Sequence, residues 1–188
     1  FNLALITTVI LLLVSLPLSW WLGHSRSRLK PIIETLVSMP LVLPPTVLGF
    51  YFLIFFSPGN AFGQWLDQWL GIRLVFSFEG LVIASLLYSL PFMVHPLQSG
   101  LTSLSPSLRE AAYVMGKSRL TTFFRVLLPN MKASVLTGVV LSFPHTVGEF
   151  GVVLMMGGNV PGKTRVASIA IYDEVEALNY GAANFYSL

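Results

Sequence analysis

The chain has 188 residues, of which 54% are hydrophobic and 10% are charged, with a net charge of +3 and a mean hydropathy of +0.75. A soluble domain carries about 25% charged residues, so the composition argues against a water-soluble fold and against a basic nucleic-acid-binding surface. Because cysteine is absent, a disulfide framework, a thiol catalyst and a cysteine metal site are excluded.

Four windows of the sequence meet the requirement of about 20 mostly apolar residues for a membrane-crossing helix. They cover residues 1–22, 36–57, 81–101 and 133–156. We therefore predict an all-α, polytopic membrane helical bundle that forms a single transmembrane domain over residues 1–188. Because the chain begins inside an apolar run and ends after a polar stretch, we expect a fragment that lacks at least one C-terminal span.

The distribution of basic residues predicts the orientation of these spans. The connections 23–35 and 102–132 together hold eight of the eleven lysines and arginines, whereas 58–80 and 157–188 hold three. Cytoplasmic connections carry the excess of positive charge. We expect the first pair of connections to face the cytoplasm and the second pair, including Leu188, to face outward.

Three prolines interrupt the second window. Pro40, Pro44 and Pro45 each remove a backbone donor and disrupt a helix. Irregular backbone is not tolerated where it faces lipid, so this segment should face either other helices or a water-filled cavity. The sequence leaves both possibilities open.

The outward connection after this window contains two tryptophans four residues apart. Trp65 and Trp69 would share one face of a helix, as in an interfacial helix that lies on lipid headgroups. A membrane anchor is one interpretation, and a docking surface for a partner is the other.

The cytoplasmic connection 102–132 contains the signals of a short capped helix. Ser105 can cap a helix whose first residue is Pro106, and Gly116 can end it. A second short helix fits residues 120–127, stopped by Pro129. Two short helices and a glycine turn would then project from the membrane, although an ordinary amphipathic connector remains the alternative.

The fourth window is rich in small residues and carries an acid. Gly138, Pro144, Gly148 and Gly151 would allow close helix packing, and an intramembrane carboxylate such as Glu149 is a functional candidate. We predict that the second and fourth windows line the pathway. The candidate pathway residues are Pro44, Pro45, Thr46, Gly148, Glu149 and Gly151.

Residues 157–164 match the G-x-x-x-x-G-K-[ST] phosphate-loop pattern. That pattern binds nucleotide between a strand and a helix of a soluble domain, whereas here it follows a membrane helix on the outer side. We interpret it as an outer turn whose Lys163 and Arg165 face water. No catalytic group is predicted, and no metal site, because the three histidines lack ligand spacing.

In the connection 102–132, Glu110, Ala111 and Ala112 are followed by Gly116 and then by Leu128-Pro129. This spacing resembles the EAA loop of ABC importer permeases, which has isoleucine where this chain has Val126. In that family the loop is the coupling helix, which seats in a cleft of the cytoplasmic ATPase. The resemblance thus implies that Glu110, Ala111, Ala112, Gly116, Leu128 and Pro129 couple the chain to an ATPase.

A wider resemblance links nearly the whole chain to molybdate permeases. It is carried by residues 40–49, by the Gly-Glu-Phe-Gly segment 148–151, and by segments 158–164 and 170–172. It implies a homodimer with the pore between two copies, two ATPase subunits below and an extracytoplasmic oxyanion-binding protein above. It also implies a bacterial or archaeal inner membrane and no cofactor bound by this chain, ATP and magnesium belonging to the ATPase.

The predicted function is therefore translocation of molybdate by an ATP-driven importer. Sulfate, tungstate or another oxyanion would fit the same architecture. Less favoured are an ion-coupled secondary transporter that uses Glu149, and a membrane scaffold or enzyme. In an anion pathway a bare carboxylate is unfavourable, so a paired structural role for Glu149 is preferred to a proton relay.

Overall fold

The computed structural model describes residues 1–187, and within that range it contains helices and turns but no strand. The predicted all-α class is confirmed, and the prediction for Leu188 lies outside the described residues. The α-helices are α1 Asn2–His24, α2 Lys30–Ser38, α3 Pro45–Phe56, α4 Ala61–Leu70, α5 Phe78–Ser103, α6 Pro106–Val114, α7 Arg119–Thr122, α8 Leu128–Asn130, α9 Lys132–Gly148, α10 Gly151–Gly157, α11 Ala167–Glu176 and α12 Tyr180–Ser187.

Two helices are long and apolar enough to cross a membrane by themselves, namely α1 with 23 residues and α5 with 26 residues. They pack along each other, and α9 packs against both. Leu11, Met93 and Leu97 are fully buried where these helices meet. The shorter helices are arranged around this three-helix bundle.

The second predicted window forms a sharply bent pair of helical segments. A short 3-10 turn at Met39–Leu41 follows α2, and the first segment, Lys30–Leu41, meets α3 at 114°. Pro44 is extended, with φ −56° and ψ 136°, because a residue before proline avoids the helical region. Pro45 then occupies the first position of α3, where its missing N–H is not needed.

The fourth window is also interrupted, although no proline lies at the interruption. Helix α9 ends at Gly148, Glu149 is extended with φ −64° and ψ 129°, and α10 begins at Gly151. The interruption turns α10 onto α3 and α5. The fourth window therefore contains two helices rather than one.

The connection 102–132 contains the capped helix that the sequence predicts. The Ser105 side chain accepts a hydrogen bond from the Ser107 backbone N–H, Pro106 begins α6, and Gly116 has a φ of +69°. The positive φ of Gly116 reverses the chain after α6, a conformation that glycine adopts without a steric penalty.

The second helix of this connection differs from its prediction at Pro129. The helix does not stop at that residue, since helical structure runs from α7 through a π-helical turn at Phe123–Leu127 into α8, which ends at Asn130. In the π turn the Leu128 N–H donates to the carbonyl of Phe123, five residues earlier. The backbone hydrogen bonds have therefore already departed from the α-helical i to i−4 pattern before Pro129. The chain bends at Met131 instead, and α9 leaves at 74°.

Both tryptophans of α4 are exposed at the surface of the chain. The exposed fraction of Trp69 is 77% and that of Trp65 is 49%. The Arg73 Nε lies 2.9 and 3.0 Å from the two carboxylate oxygens of Asp67, and this hydrogen-bonded pair raises the pKa of the Arg73 guanidinium. The ion pair ties the end of α4 to the following loop.

Candidate functional site

The interruptions at Pro44–Pro45 and at Glu149–Phe150 meet at one cavity of about 350 Å³. Five of the six predicted pathway residues line this cavity, while Pro44 is the residue that immediately precedes α3. The complete lining consists of Pro45, Thr46, Tyr88, His145, Gly148, Glu149, Phe150 and Gly151. Two segments that lie far apart in sequence thus share one cavity in the bundle.

Close backbone contact between α3 and α10 holds this cavity together. A Cβ atom on Gly151 would lie 2.8 Å from the Pro45 Cβ, and one on Gly49 would lie 2.9 Å from the Met155 Cβ. Such distances are too short for any side chain without movement of the backbone. Glycine at both positions therefore allows the two helices to touch, as small residues do in membrane bundles.

Glu149 is the buried acid of this cavity, and its exposed fraction is 4%. Its backbone carbonyl accepts a hydrogen bond of 2.6 Å from the Ser168 hydroxyl, which satisfies the acceptor freed by the interruption. Within residues 1–187 Glu149 forms no ion pair, and the Ser85 hydroxyl is a polar group that acts on its carboxylate. The paired structural role favoured by the sequence stays a prediction, with Ser85 as the candidate neutral partner.

His145 lies one turn before Glu149 and lines the same cavity. Its Nδ1 is 3.0 Å from the Ser89 hydroxyl, and its ring centroid is 3.9 Å from that of Phe92 and 4.9 Å from that of Tyr88. The sequence predicts neither Tyr88 nor Ser89 as a site residue, and His145 belongs to the histidines whose spacing does not suit a metal site. The signal available was the spacing of four residues between His145 and Glu149, which places both on one helix face.

The predicted coupling residues lie together around α6 and the π-helical turn, which are in contact. Glu110, Ala111 and Gly116 are exposed. Ala112 has an exposed fraction of 1%, so Ala111 is the alanine of the pair that faces outward. Leu128 is half-buried and Pro129 is exposed at the start of α8.

The segment that matches the phosphate-loop pattern is a closed turn. The Thr164 hydroxyl donates to the Gly157 carbonyl and accepts from the Val160 N–H, and its side chain is buried. Residues 1–187 contain no strand to precede such a loop. Lys163 and Arg165 are exposed, as predicted, and Arg165 pairs with Asp173 at 2.7 Å.

Comparison with known proteins gives consistent results along the chain. The family model described as "Binding-protein-dependent transport system inner membrane component" matches residues 15–185. The chain is 50% identical, over 98% of its length and 81% of the relative's length, to the molybdenum transport system permease protein ModB of Azotobacter vinelandii. It is 33% identical over 93% of its length to ModB of Haemophilus influenzae, and covers 78% of that protein.

A sulfate permease is also similar to this chain. The sulfate transport system permease protein CysT of Salmonella typhimurium is 34% identical over 89% of the chain, and the match covers 60% of CysT. The chain thus spans about four fifths of the molybdenum permeases reported above and about three fifths of the sulfate permease.

Proposed function

The chain belongs to the family of binding-protein-dependent transport system inner membrane components, and we propose that it is the membrane subunit of an ATP-driven molybdate importer. The observation that carries this proposal is the identity of 50% over 98% of the chain with a molybdenum transport permease. The sulfate permease reaches 34% over a shorter share of the chain. Sulfate or tungstate transport is therefore the second candidate.

The proposed assembly contains two copies of this chain, two cytoplasmic ATPase subunits and an extracytoplasmic molybdate-binding protein in the inner membrane of a bacterium or archaeon. ATP and magnesium would bind to the ATPase subunits, and the chain itself would bind no cofactor. The basic connections 23–35 and 102–132 would face the cytoplasm, in line with the excess of positive charge there.

We assign the coupling role to α6 and the turn that follows it, with Glu110, Ala111, Ala112 and Gly116 as the principal residues. Leu128 and Pro129 would support this unit from α8. A membrane helix cannot sense nucleotide directly, so closure of the ATPase must be transmitted by a rigid cytoplasmic element. The exposed Glu110 would supply a charge for that contact, and the exposed Ala111 would allow a close approach. The buried Ala112 would pack α6 against the rest of the chain.

The proposed translocation path passes the cavity shared by α3 and the α9–α10 interruption. Pro44, Pro45 and Thr46 would line it from one side, and Gly148, Glu149 and Gly151 from the other. Irregular backbone at membrane depth is tolerated where it lines a water-filled cavity or is covered by protein. The irregular backbone at both interruptions supports this assignment.

The deciding experiment is uptake by vesicles that contain the complete transporter, with its binding protein outside and ATP inside. We expect molybdate uptake that requires both ATP and the binding protein, with sulfate a weaker competitor than molybdate or tungstate. Stronger competition by sulfate would establish the second candidate. Uptake driven by an ion gradient without ATP would instead support an ion-coupled transporter, for which the relevant observation is that Glu149 is buried and forms no ion pair within residues 1–187.

A further inference from the structure

A cavity of about 620 Å³ opens between the C-terminal end of α1 and the cytoplasmic helices α6 and α7. Its volume is within the range of about 300–1,000 Å³ that is typical of small-molecule sites. It shares Glu110 with the proposed coupling residues and shares no residue with the pathway cavity. Its chemistry is therefore distinct from that of the proposed transport path.

The walls of this cavity carry more positive than negative charge. Arg109 from α6 and Arg119 from α7 line it, and neither forms an ion pair with a carboxylate of residues 1–187. Glu110 is the acid among the lining residues. A guanidinium presents a planar set of N–H donors that matches phosphate oxygens, so two unpaired arginines favour a phosphate ligand.

The remaining walls are aromatic and lie at the end of a membrane helix. Trp20 and Trp21 occupy the last turns of α1, which is long and apolar enough to cross a membrane. Trp21 and Tyr113 are exposed. Tryptophan and tyrosine prefer the level of the lipid headgroups, so these side chains indicate that the cavity opens at that level rather than into the aqueous cytoplasm.

We propose that this cavity binds the headgroup phosphate of an anionic phospholipid. Arg109 and Arg119 would hold the phosphate, while Trp21 and Tyr113 would pack against the glycerol and the upper part of the acyl chains. Basic pockets at the cytoplasmic ends of membrane helices bind anionic headgroups in this way. A lipid held here would bridge α1 and the coupling segment, so that the composition of the membrane would act on coupling.

The test compares lipid retention by the assembled transporter, purified in detergent and examined by native mass spectrometry. Phosphatidylglycerol and phosphatidylcholine are added separately to the wild type and to the variant Arg109→Gln/Arg119→Gln. We expect the wild type to retain phosphatidylglycerol preferentially, and the double variant to retain about 25-fold less of it, since each arginine near an anionic surface contributes about fivefold. The matched control is Arg26→Gln/Arg28→Gln, which removes two exposed arginines of the α1–α2 connection that do not line the cavity.

A single Arg119→Gln change provides a variant that leaves packing intact, because Arg119 is exposed. It should lose about fivefold in phosphatidylglycerol retention while the ATPase subunits remain bound. Unchanged retention in both variants would refute the proposal, as would an equal loss in the control. Displacement of the lipid by inorganic phosphate at similar concentration would identify a site for soluble anions instead. Loss of the ATPase subunits with lipid retention unchanged would identify a protein contact.

Discussion

Gly151 marks the point where the backbones of α3 and α10 touch beside the pathway cavity. Pro45 and Thr46 approach it from α3, and a Cβ atom on Gly151 would lie 2.8 Å from the Pro45 Cβ and 3.0 Å from the Thr46 nitrogen. A rigid proline ring and a backbone atom cannot move aside as a flexible side chain would. A larger residue must therefore separate the two helices.

We predict that Gly151→Ala lowers stability by about 1–3 kcal/mol, the usual effect of overpacking a well-filled interior. Thermal unfolding of the purified chain in detergent measures this effect. Gly148→Ala is the control, because Gly148 lines the same cavity and a Cβ there would meet no atom within 4 Å. Equal unfolding temperatures for both variants would contradict the close contact between α3 and α10.

Gly116 is required for a different reason, since a Cβ there meets nothing within 4 Å but its φ is +69°. We predict that Gly116→Val inserts normally in the membrane yet loses uptake and substrate-stimulated ATPase activity, because the left-handed conformation costs about 1–2 kcal/mol with a side chain. Gly116→Asn should keep most of both activities, since asparagine tolerates this conformation. Full coupled transport by the valine variant would show that the turn after α6 is not part of the coupling.

At the scale of elements, the first and third windows were predictable because each coincides with one long helix, α1 or α5. The interruption before α3 was also predictable, since consecutive prolines force it locally. The interruption at Glu149 was not, because no proline lies there and the flanking Gly148 and Gly151, which weaken a helix, also fit a continuous helix that packs closely on its neighbours. This interruption depends on the packing of α10 against α3, and a local sequence pattern does not predict contacts between distant segments.

The candidate site was predictable only in part, for the same reason. The segments around Pro45 and Glu149 could be chosen because each looks irregular or polar by itself. The roles of Tyr88 and His145 could not be predicted in this way, because they depend on the packing of α5 beside α9. That packing brings the Ser89 hydroxyl to His145. The continuation of helix through Pro129 was missed because the π-helical turn that precedes it has no sequence signature of its own.

The orientation of the elements can be tested by labelling, because the chain contains no cysteine. We predict that Ser118→Cys reacts with an impermeant maleimide only from the cytoplasmic side, and Lys163→Cys only from outside. Lys163 is chosen rather than Asn159 of the same turn, because the Asn159 side chain donates a hydrogen bond to Asp173 that a cysteine would remove. Both positions are exposed. Labelling from the opposite sides would overturn the orientation and, with it, the coupling role of α6.

At the scale of the whole molecule, the single chain leaves uncovered the α3 side of the cavity that α3, α9 and α10 share. Pro44, Pro45 and Thr46 are exposed, although they border a buried carboxylate. In a membrane such irregular backbone requires protein or water rather than lipid beside it. A second copy of the chain, as proposed, would cover this side and enclose the cavity between the two subunits.

The last prediction follows from this arrangement and concerns the assembled transporter. We predict that Thr46→Cys and Gly148→Cys change their rate of reaction with a water-soluble maleimide when ATP binds, because closure of the ATPase subunits must reorient the spans around a path that both positions border. Leu13→Cys is the control, since Leu13 is exposed on α1 and lines none of the cavities described above. Its reaction should be slow and independent of ATP, as expected of a side chain in lipid. If all three cysteines reacted at the same rate with and without ATP, the meeting point of α3, α9 and α10 would be a packing site, and the path would lie elsewhere.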